Sequence, residues 1–237
     1  MIYTVKLISK REVAKGTMLF EFSRPDGFEF RAGQFCEWKI FNPAYNDDEG
    51  SLRSFSICSP PEEKNLWIVT RIRKSAFKRS LDELPMGAEI QMDGPFGNLV
   101  LHGRDEKPAV FLTGGIGITP FFSMIGDIAH KKLSHKITMF YSNRTFGSTA
   151  FFDELKSFQE ENKNFVFVPT FTDEATSSWD GERGFIDEAM IRRYVDNIAL
   201  PIYYIAGPPQ MTSSMWQMLK GMGVHEDDIK MEEFPGY

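Results

Sequence analysis

Hydrophobic positions follow two rhythms along this chain, and the change between them divides it. Up to about residue 100, apolar residues come in short runs separated by Pro25-Asp26-Gly27, Ala32-Gly33, Pro60-Pro61 and Met86-Gly87. Short runs bounded by such punctuation predict strands. They fall at residues 3–8, 17–22, 34–40, 54–58, 67–72 and 89–92, with one short helix at 80–84. Strands at this spacing predict an antiparallel barrel. The polar, turn-rich segment His102-Gly103-Arg104-Asp105-Glu106-Lys107-Pro108 marks a domain boundary, giving domains of residues 1–102 and 103–237. Beyond it strands alternate with helices. Strands are predicted at 109–112, 136–141, 165–169, 202–205 and 229–232, and helices at 120–131, 149–161, 187–195 and 210–222. That alternation predicts a parallel sheet covered on both faces.

The second rhythm begins with Val110-Phe111-Leu112-Thr113-Gly114-Gly115-Ile116-Gly117-Ile118-Thr119-Pro120. An apolar strand runs into three glycines, and then into a helix start with Thr119 as cap and Pro120 in the first turn. Glycines bring a ligand close to bare backbone, and a helix N-terminus offers free N–H groups and a positive dipole end. The combination suits a phosphate. A turn needed for packing alone is the competing reading.

Composition narrows the classes. The net charge of −6 argues against nucleic acid, which demands a basic face. There is no apolar run of ~18 residues to span a membrane, and residues 1–6 carry no signal-peptide pattern, so a cytoplasmic protein is expected. Cys36 and Cys58 are too few for an iron–sulfur cluster and read as buried thiols. His102, His130, His135 and His225 form no metal-ligand spacing and read as surface residues, so no metal is expected. Gly-x-Ser-x-Gly is absent, which removes an esterase-type elbow.

Further stretches carry candidate chemistry. In Arg53-Ser54-Phe55-Ser56-Ile57-Cys58-Ser59, alternation puts Arg53 and Phe55 on one face and Ser54 and Ser56 on the other. Such a strand can hold a phosphate, a ring and a polar ring edge; a plain edge strand with one solvated Arg is the alternative. The basic run from Thr70 to Leu81 ends in a helix start and is a second anion site in principle, or else a solvated charge run. Gly94-Pro95-Phe96-Gly97 reads as a rigid turn, and Asn46-Asp47-Asp48-Glu49 as a solvated acidic loop. In Tyr204-Ile205-Ala206-Gly207-Pro208-Pro209-Gln210-Met211 an apolar strand again meets a turn and a helix. The chain closes on Glu232-Glu233-Phe234-Pro235-Gly236-Tyr237.

Taken in order, Arg-x-aromatic-Ser, Gly-Pro-Phe-Gly, Thr-Gly-Gly-x-Gly-x-Thr-Pro, Ala-Gly-Pro-Pro and Glu-Glu-Phe resemble the ferredoxin-NADP reductase family over almost the whole chain. The resemblance implies a two-domain α+β fold, with a six-stranded antiparallel Greek-key β-barrel that binds FAD and an α/β nucleotide-binding domain with a parallel sheet. It implies that Arg53 contacts the flavin pyrophosphate, that Phe55 lies against the isoalloxazine, and that Ser56, with Ser54 on the same strand, sits at the flavin. Ser56 falls near N5. The segment with Arg71, Ile72, Ser75 and Lys78 would line the ribityl and pyrophosphate. Gly114, Gly115, Gly117 and Thr119 would hold the nicotinamide dinucleotide, and Gly207 and Pro208 would face the nicotinamide. Phe234 would cover the other flavin face, with Tyr237 as its rival. Relatives often have Tyr at Phe55 and Cys at Ala206, so a tyrosyl hydroxyl and a thiol are missing here.

The resemblance implies a flavoprotein oxidoreductase passing hydride from NADH or NADPH to FAD, then electrons to a separate acceptor such as ferredoxin or another small redox protein. A flavin reductase that uses flavin as substrate, and an electron-transfer subunit docking to a larger oxygenase or dehydrogenase, are the rivals. Arg144 could serve a 2′-phosphate, but Asp173 stands where relatives using NADPH often have cations. An Asp repels phosphate and accepts from a ribose hydroxyl, which favours NADH.

Overall fold

The computed structural model describes residues 1–173 and 179–234, in two compact units. The first comprises Met1–Leu101 with Thr119–His130, and the second His102–Ile118 with the chain from Lys131 onward. A helix that follows the glycine turn in sequence is therefore grouped with the first unit.

The first unit contains strands β1 (Ile2–Ala14), β2 (Thr17–Ser23), β3 (Phe35–Lys39), β4 (Leu52–Ser56), β5 (Asn65–Arg71) and β6 (Glu89–Phe96), and helix α1 (Ala76–Glu83). They form one antiparallel sheet in the order β4-β3-β6-β1-β2-β5. The two end strands are drawn together where Cys58 N–H, just past β4, donates to the Trp67 carbonyl of β5 at 2.8 Å. β1 serves both halves of the sheet. Residues 2–6 pair with β6, and a register shift between Leu7 and Ser9 re-aims the strand onto β2, the bending a bulge produces. Alternation sends Val5, Leu7, Phe20, Phe22, Trp38, Ile68, Ile90 and Met92 into the core. Cys36 and Cys58 are free and buried, and burial pushes the Cys36 thiol up to about 12.

Two expectations need correction in this unit. Gly94-Pro95-Phe96 is not a separate turn but the end of β6, where the ladder to β3 shifts register and Phe96 pairs with Phe35. A cis peptide joins Gly94 to Pro95. α1 starts at Ala76, four residues before the expected helix, because Phe77 and Leu81 supply a buried stripe that begins earlier.

Helix α2 (Ile118–Lys131) meets the rest of this unit at Ser123, Met124 and Gly126. Ser123 Oγ donates to the Ser59 carbonyl at 2.7 Å. Gly126 lets the helix approach closely, since a Cβ there would meet Pro60 Cγ at 2.1 Å.

The second unit contains strands β7 (Ala109–Gly114), β8 (Ile137–Asn143), β9 (Phe165–Phe171), β10 (Glu182–Arg183), β11 (Ile202–Gly207) and β12 (Ile229–Glu233). All pair in parallel, in the order β10-β9-β8-β7-β11-β12. Every residue of β7 and β11 is buried, as befits central strands of a sheet covered on both faces. Helices α4 (Glu188–Tyr194) and α5 (Pro209–Gly221) cover Val110, Leu112, Phe140, Tyr203 and Ile205. Helix α3 (Phe152–Glu161) covers the opposite face, where Phe158 meets Phe165 and Phe152 meets Phe167 at ring distances of 4.9 and 5.6 Å. The two-residue β10 was not foreseen from sequence.

His102 and His135 are not surface residues. They are buried, at 9% and 2% exposure. His102 Nδ1 is hydrogen-bonded to the Tyr204 hydroxyl at 2.8 Å and Nε2 to the Lys107 carbonyl at 3.0 Å, while His135 Nε2 meets the His102 carbonyl. The histidines staple the polar boundary segment to β11, and burial holds His102 below its ordinary range. His130 and His225 are exposed. No described helix is long and apolar enough to cross a membrane.

Candidate functional site

In the first unit, β4 alternates in exposure from Leu52 to Phe55 and departs from the expectation at Ser56, which is buried while Ser54 is exposed. Arg53 stands opposite Trp38 and Phe55 opposite Cys36, both core residues, so Arg53 and Phe55 are drawn half inward. The Phe55 ring lies 5.8 Å from Phe77 of α1, and the Arg53 guanidinium lies 5.6 Å from the same ring. Ser54 is exposed. Ser56 is 4% exposed, and its Oγ is buried without a hydrogen-bond partner among the described residues. A buried hydroxyl left unsatisfied costs free energy, so each instance calls for an explanation.

The segment after β5 gathers at the start of α1. Ile72 N–H bonds the Gly16 carbonyl at 2.9 Å, and its side chain packs against the barrel core. Arg71 closes β5 opposite Thr17. Ser75 stands at the N-cap position without capping, and its Oγ is also buried and unpartnered. Lys78 is held below its ordinary range by burial first and then by Arg73, Arg53 and Arg71, with Glu49 acting the other way. The basic run thus gathers charge at a helix N-terminus, with Arg71 and Lys78 half-buried and Arg73, Lys74 and Arg79 exposed.

Arg53 is not a solvated arginine, and the acidic loop is not merely solvated. Arg53 donates to the carbonyls of Glu49, Gly50 and Leu52 and to Glu49 Oε2 at 2.7 Å, with Asp47 Oδ1 at 3.5 Å. Asp47 Oδ2 accepts the Ala76 N–H of α1 at 2.9 Å. Sequence reasoning missed Asp47 and Glu49 as members of this site. Their signal was an acid–glycine stretch four to six residues before the Arg.

In the second unit, strand order reverses between β7 and β11: β8, β9 and β10 follow on one side and β11 and β12 on the other. Ligands of open α/β sheets bind at the carboxyl ends of strands at such a switch point. Both glycine motifs end there, with Thr113 in register with Ala206. Thr113 Oγ1 donates to the Ala206 carbonyl at 3.0 Å, and a Cβ on Gly117 would lie 2.2 Å from the same oxygen. Close packing alone therefore requires Gly117. Gly115 has φ +54°. Gly114 and Gly207 both border Met211, whose sulfur would crowd a Cβ at either position, a role sequence reasoning did not assign.

Thr119 does not cap the helix. A 3₁₀ turn, Gly115–Gly117, leads directly into α2 at Ile118, so Thr119 and Pro120 lie inside the first turn, where a missing proline N–H is harmless. Pro208 stands at the N-cap of α5, with Pro209 first in the helix. Phe234 is half-buried, and its N–H donates to the Gly207 carbonyl at 3.0 Å, so Phe234 and the Gly-Pro turn are joined. Tyr237 lies outside the described residues. On β12, Glu232 stands in register with Ala206, and burial pushes its carboxyl up to about 7. At the ends of β8 and β9, Arg144 is exposed and Asp173 half-buried.

A six-stranded antiparallel unit and a six-stranded parallel sheet with a glycine-lined switch point make up a two-domain fold shared with solved FAD- and NAD-binding proteins. Residues 111–217 match the family model described as the oxidoreductase NAD-binding domain. The chain is 31% identical over 236 residues to a subunit of the Na(+)-translocating NADH-quinone reductase of Histophilus somni, covering 91% of this chain and 56% of that protein. The corresponding subunit in Serratia proteamaculans is 27% identical over 232 residues, with the same coverage. The chain thus spans about half the length of the curated relatives it matches. Its fold matches the flavohem-like FAD/NAD-binding domain of the Vibrio cholerae nitric oxide dioxygenase, with a TM-score of 0.86, 19% identity and 98% of both chains covered. It also matches a ferredoxin NADP+ reductase from Neisseria gonorrhoeae solved with FAD and NADP bound, with a TM-score of 0.82, 22% identity and the same coverage.

Proposed function

We propose that this chain is an FAD-dependent oxidoreductase that takes hydride from a nicotinamide nucleotide, NADH in preference to NADPH, and delivers electrons to a separate acceptor. The observation that carries the reading is the buried, unpartnered hydroxyl of Ser56, beside the half-buried Arg53 and Phe55. A polar atom kept dry and unsatisfied is suited to a ligand that brings the missing partner. Ser75 repeats the feature at the start of α1.

A bound flavin would supply a ring nitrogen able to accept hydride and a ring system able to release electrons singly. The protein's own part is binding, orientation and exclusion of water. Arg53 and Lys78 supply charge for a diphosphate, with the geometry of a guanidinium suited to bidentate contact. Arg71, Ile72 and Ser75 line the same cofactor, Ser54 flanks it, and Phe55 offers a flat apolar face. Ser56 is the group that hydrogen-bonds at the reacting ring edge, and Phe234 the aromatic for the other flavin face. Gly114, Gly115, Gly117 and Thr119 receive the dinucleotide, Gly207 and Pro208 the nicotinamide, and Arg144 and Asp173 the adenosine ribose. The domain roles are residues 1–102 for flavin and 103–237 for the nicotinamide nucleotide, with α2 adding to the first.

The acceptor is proposed as a separate redox partner, such as a small iron–sulfur protein, met in the cytoplasm. A role as one component of a larger assembly is the second reading, favoured by the relatives named as subunits of an NADH-quinone reductase. Purification followed by gel filtration tests the core of the proposal. Flavin absorption bands that stay with the protein and bleach on anaerobic addition of NADH support it. Protein that neither retains nor binds added flavin overturns it, and flavin that binds but always leaves on the column favours the flavin-reductase alternative.

A further inference from the structure

The acidic loop 45–50 is anchored rather than free. Tyr45 N–H donates to Ser80 Oγ at 2.9 Å, its hydroxyl donates to Glu83 Oε1 at 2.8 Å, and its ring lies 3.6 Å from the Arg79 guanidinium. From that anchor on α1, the loop runs past the helix N-terminus to β4. There Asp47 bridges the Ala76 N–H and Arg53, while Glu49 binds Arg53 through both its carboxylate and its carbonyl. The two carboxylates hold the same donors that an anion at this place would need: a guanidinium and the first free amide of a helix. The neighbouring Ser75 hydroxyl stays buried and unpartnered, so the loop satisfies only part of the donor set. Arg53 is 18% exposed in its side chain and Glu49 72%, so the acid lies on the solvent side of the arginine and can leave without disturbing the core.

We propose that residues 45–50 form an acidic strap whose Asp47 and Glu49 carboxylates compete with a nucleotide diphosphate for Arg53 and the start of α1. The strap acts as a gate on flavin binding. It rests on the proposed function, in which this place receives the flavin diphosphate. Two anions cannot share one guanidinium and one amide without strong repulsion, so binding exchanges the carboxylates for the diphosphate, while Tyr45 keeps the strap tethered to α1. The carboxylates also neutralise a cationic cluster that otherwise repels itself.

Titration of flavin-free protein with FAD, comparing the unaltered chain with the Asp47→Asn/Glu49→Gln double variant, tests the strap. Asn still accepts from the Ala76 amide, so the helix keeps its cap while the competing charge is gone. The dissociation constant is expected to fall about tenfold. FAD bound equally or more weakly by the variant overturns the strap and leaves the proposed function intact. If neither protein binds FAD, the proposed function itself falls, and the strap with it. Hydrogen exchange on the unaltered chain gives an independent reading. The amides of Glu49 and Gly50, bonded to Asp47 at 3.2 and 3.1 Å, are expected to exchange faster with FAD bound; unchanged or slower exchange overturns the strap.

Discussion

The backbone N–H of Asp173 donates to the carbonyl of Arg144 at 2.9 Å, so the residues following β8 and β9 are bonded side by side. One cation therefore stands next to one acid where a nucleotide's ribose is proposed to lie. A 2′-phosphate gains little from Arg144 while Asp173 opposes it, and a ribose hydroxyl can donate to the carboxylate. The ratio of kcat/KM for NADH over NADPH is expected to exceed one. Asp173→Arg should move it towards NADPH by tenfold or more, about 1.4 kcal/mol. A native preference for NADPH, or a variant whose ratio does not move, contradicts the assignment.

Ser56 should separate stability from activity. Ser56→Ala removes a buried hydroxyl that has no partner among the described residues, so the flavin-free protein should be as stable as before or up to about 1 kcal/mol more stable. Flavin reduction by NADH, followed by stopped flow, should slow about tenfold or more if the hydroxyl acts at the ring edge. A clear loss of thermal stability, with the reduction rate unchanged, would assign Ser56 to the core instead.

Arg53 is tied to flavin retention. Arg53→Ala removes the guanidinium proposed for the diphosphate, and FAD affinity should drop by about 2 kcal/mol, roughly thirtyfold. The flavin-to-protein ratio after dialysis reports it. A variant that keeps its full ratio shows that the diphosphate is held elsewhere.

Gly117 tests the packing of the switch point. A methyl group there meets the Ala206 carbonyl at 2.2 Å, and overpacking against backbone has little room to relax. Gly117→Ala should destabilise the protein by about 2 kcal/mol or more, read as a lowered midpoint in urea. Gly103→Ala, with nothing near its Cβ, is the control and should leave the midpoint close to unchanged.

The pH dependence follows from burial. Glu232 has its folded-state pKa raised, to about 7, so the folded chain holds a proton that the unfolded chain has released. Its contribution is fully present below the ordinary carboxylate range, about 4.3, and is lost as pH rises towards 7. Glu232→Gln should therefore gain thermal stability relative to the unaltered chain as pH rises from 4.5 to 7.5. A difference that does not change with pH falsifies the account. His102, lowered by burial, works in the opposite sense: its contribution is present above about 6.5 and is lost as pH falls through the folded-state value.

Much of the architecture was legible because the pattern of side chains is itself the cause of the elements. Alternation along β4 placed Arg53 and Phe55 together, and the apolar blocks at β7 and β11 announced buried parallel strands. Errors clustered where a local pattern was answered by a distant partner. Thr119 and Pro120 look like a helix start, yet the preceding glycines already turn and the helix begins at Ile118. His102 and His135 look like surface residues until the Tyr204 hydroxyl is brought to His102 and the His102 carbonyl to His135.

The sequence by itself determined the two-unit plan and the strand and helix types. These depend on periodicity and on turn chemistry, which are properties of near neighbours. Only the tertiary structure decided that Ser56 and Ser75 keep dry hydroxyls without partners among the described residues, that Met211 sits against both Gly114 and Gly207, and that Asp47 and Glu49 take the donors of Arg53 and Ala76. Each of those facts depends on which surfaces meet when strands far apart in sequence pair, and satisfaction of a polar group is settled by what lies within about 3 Å of it, not by its place along the chain.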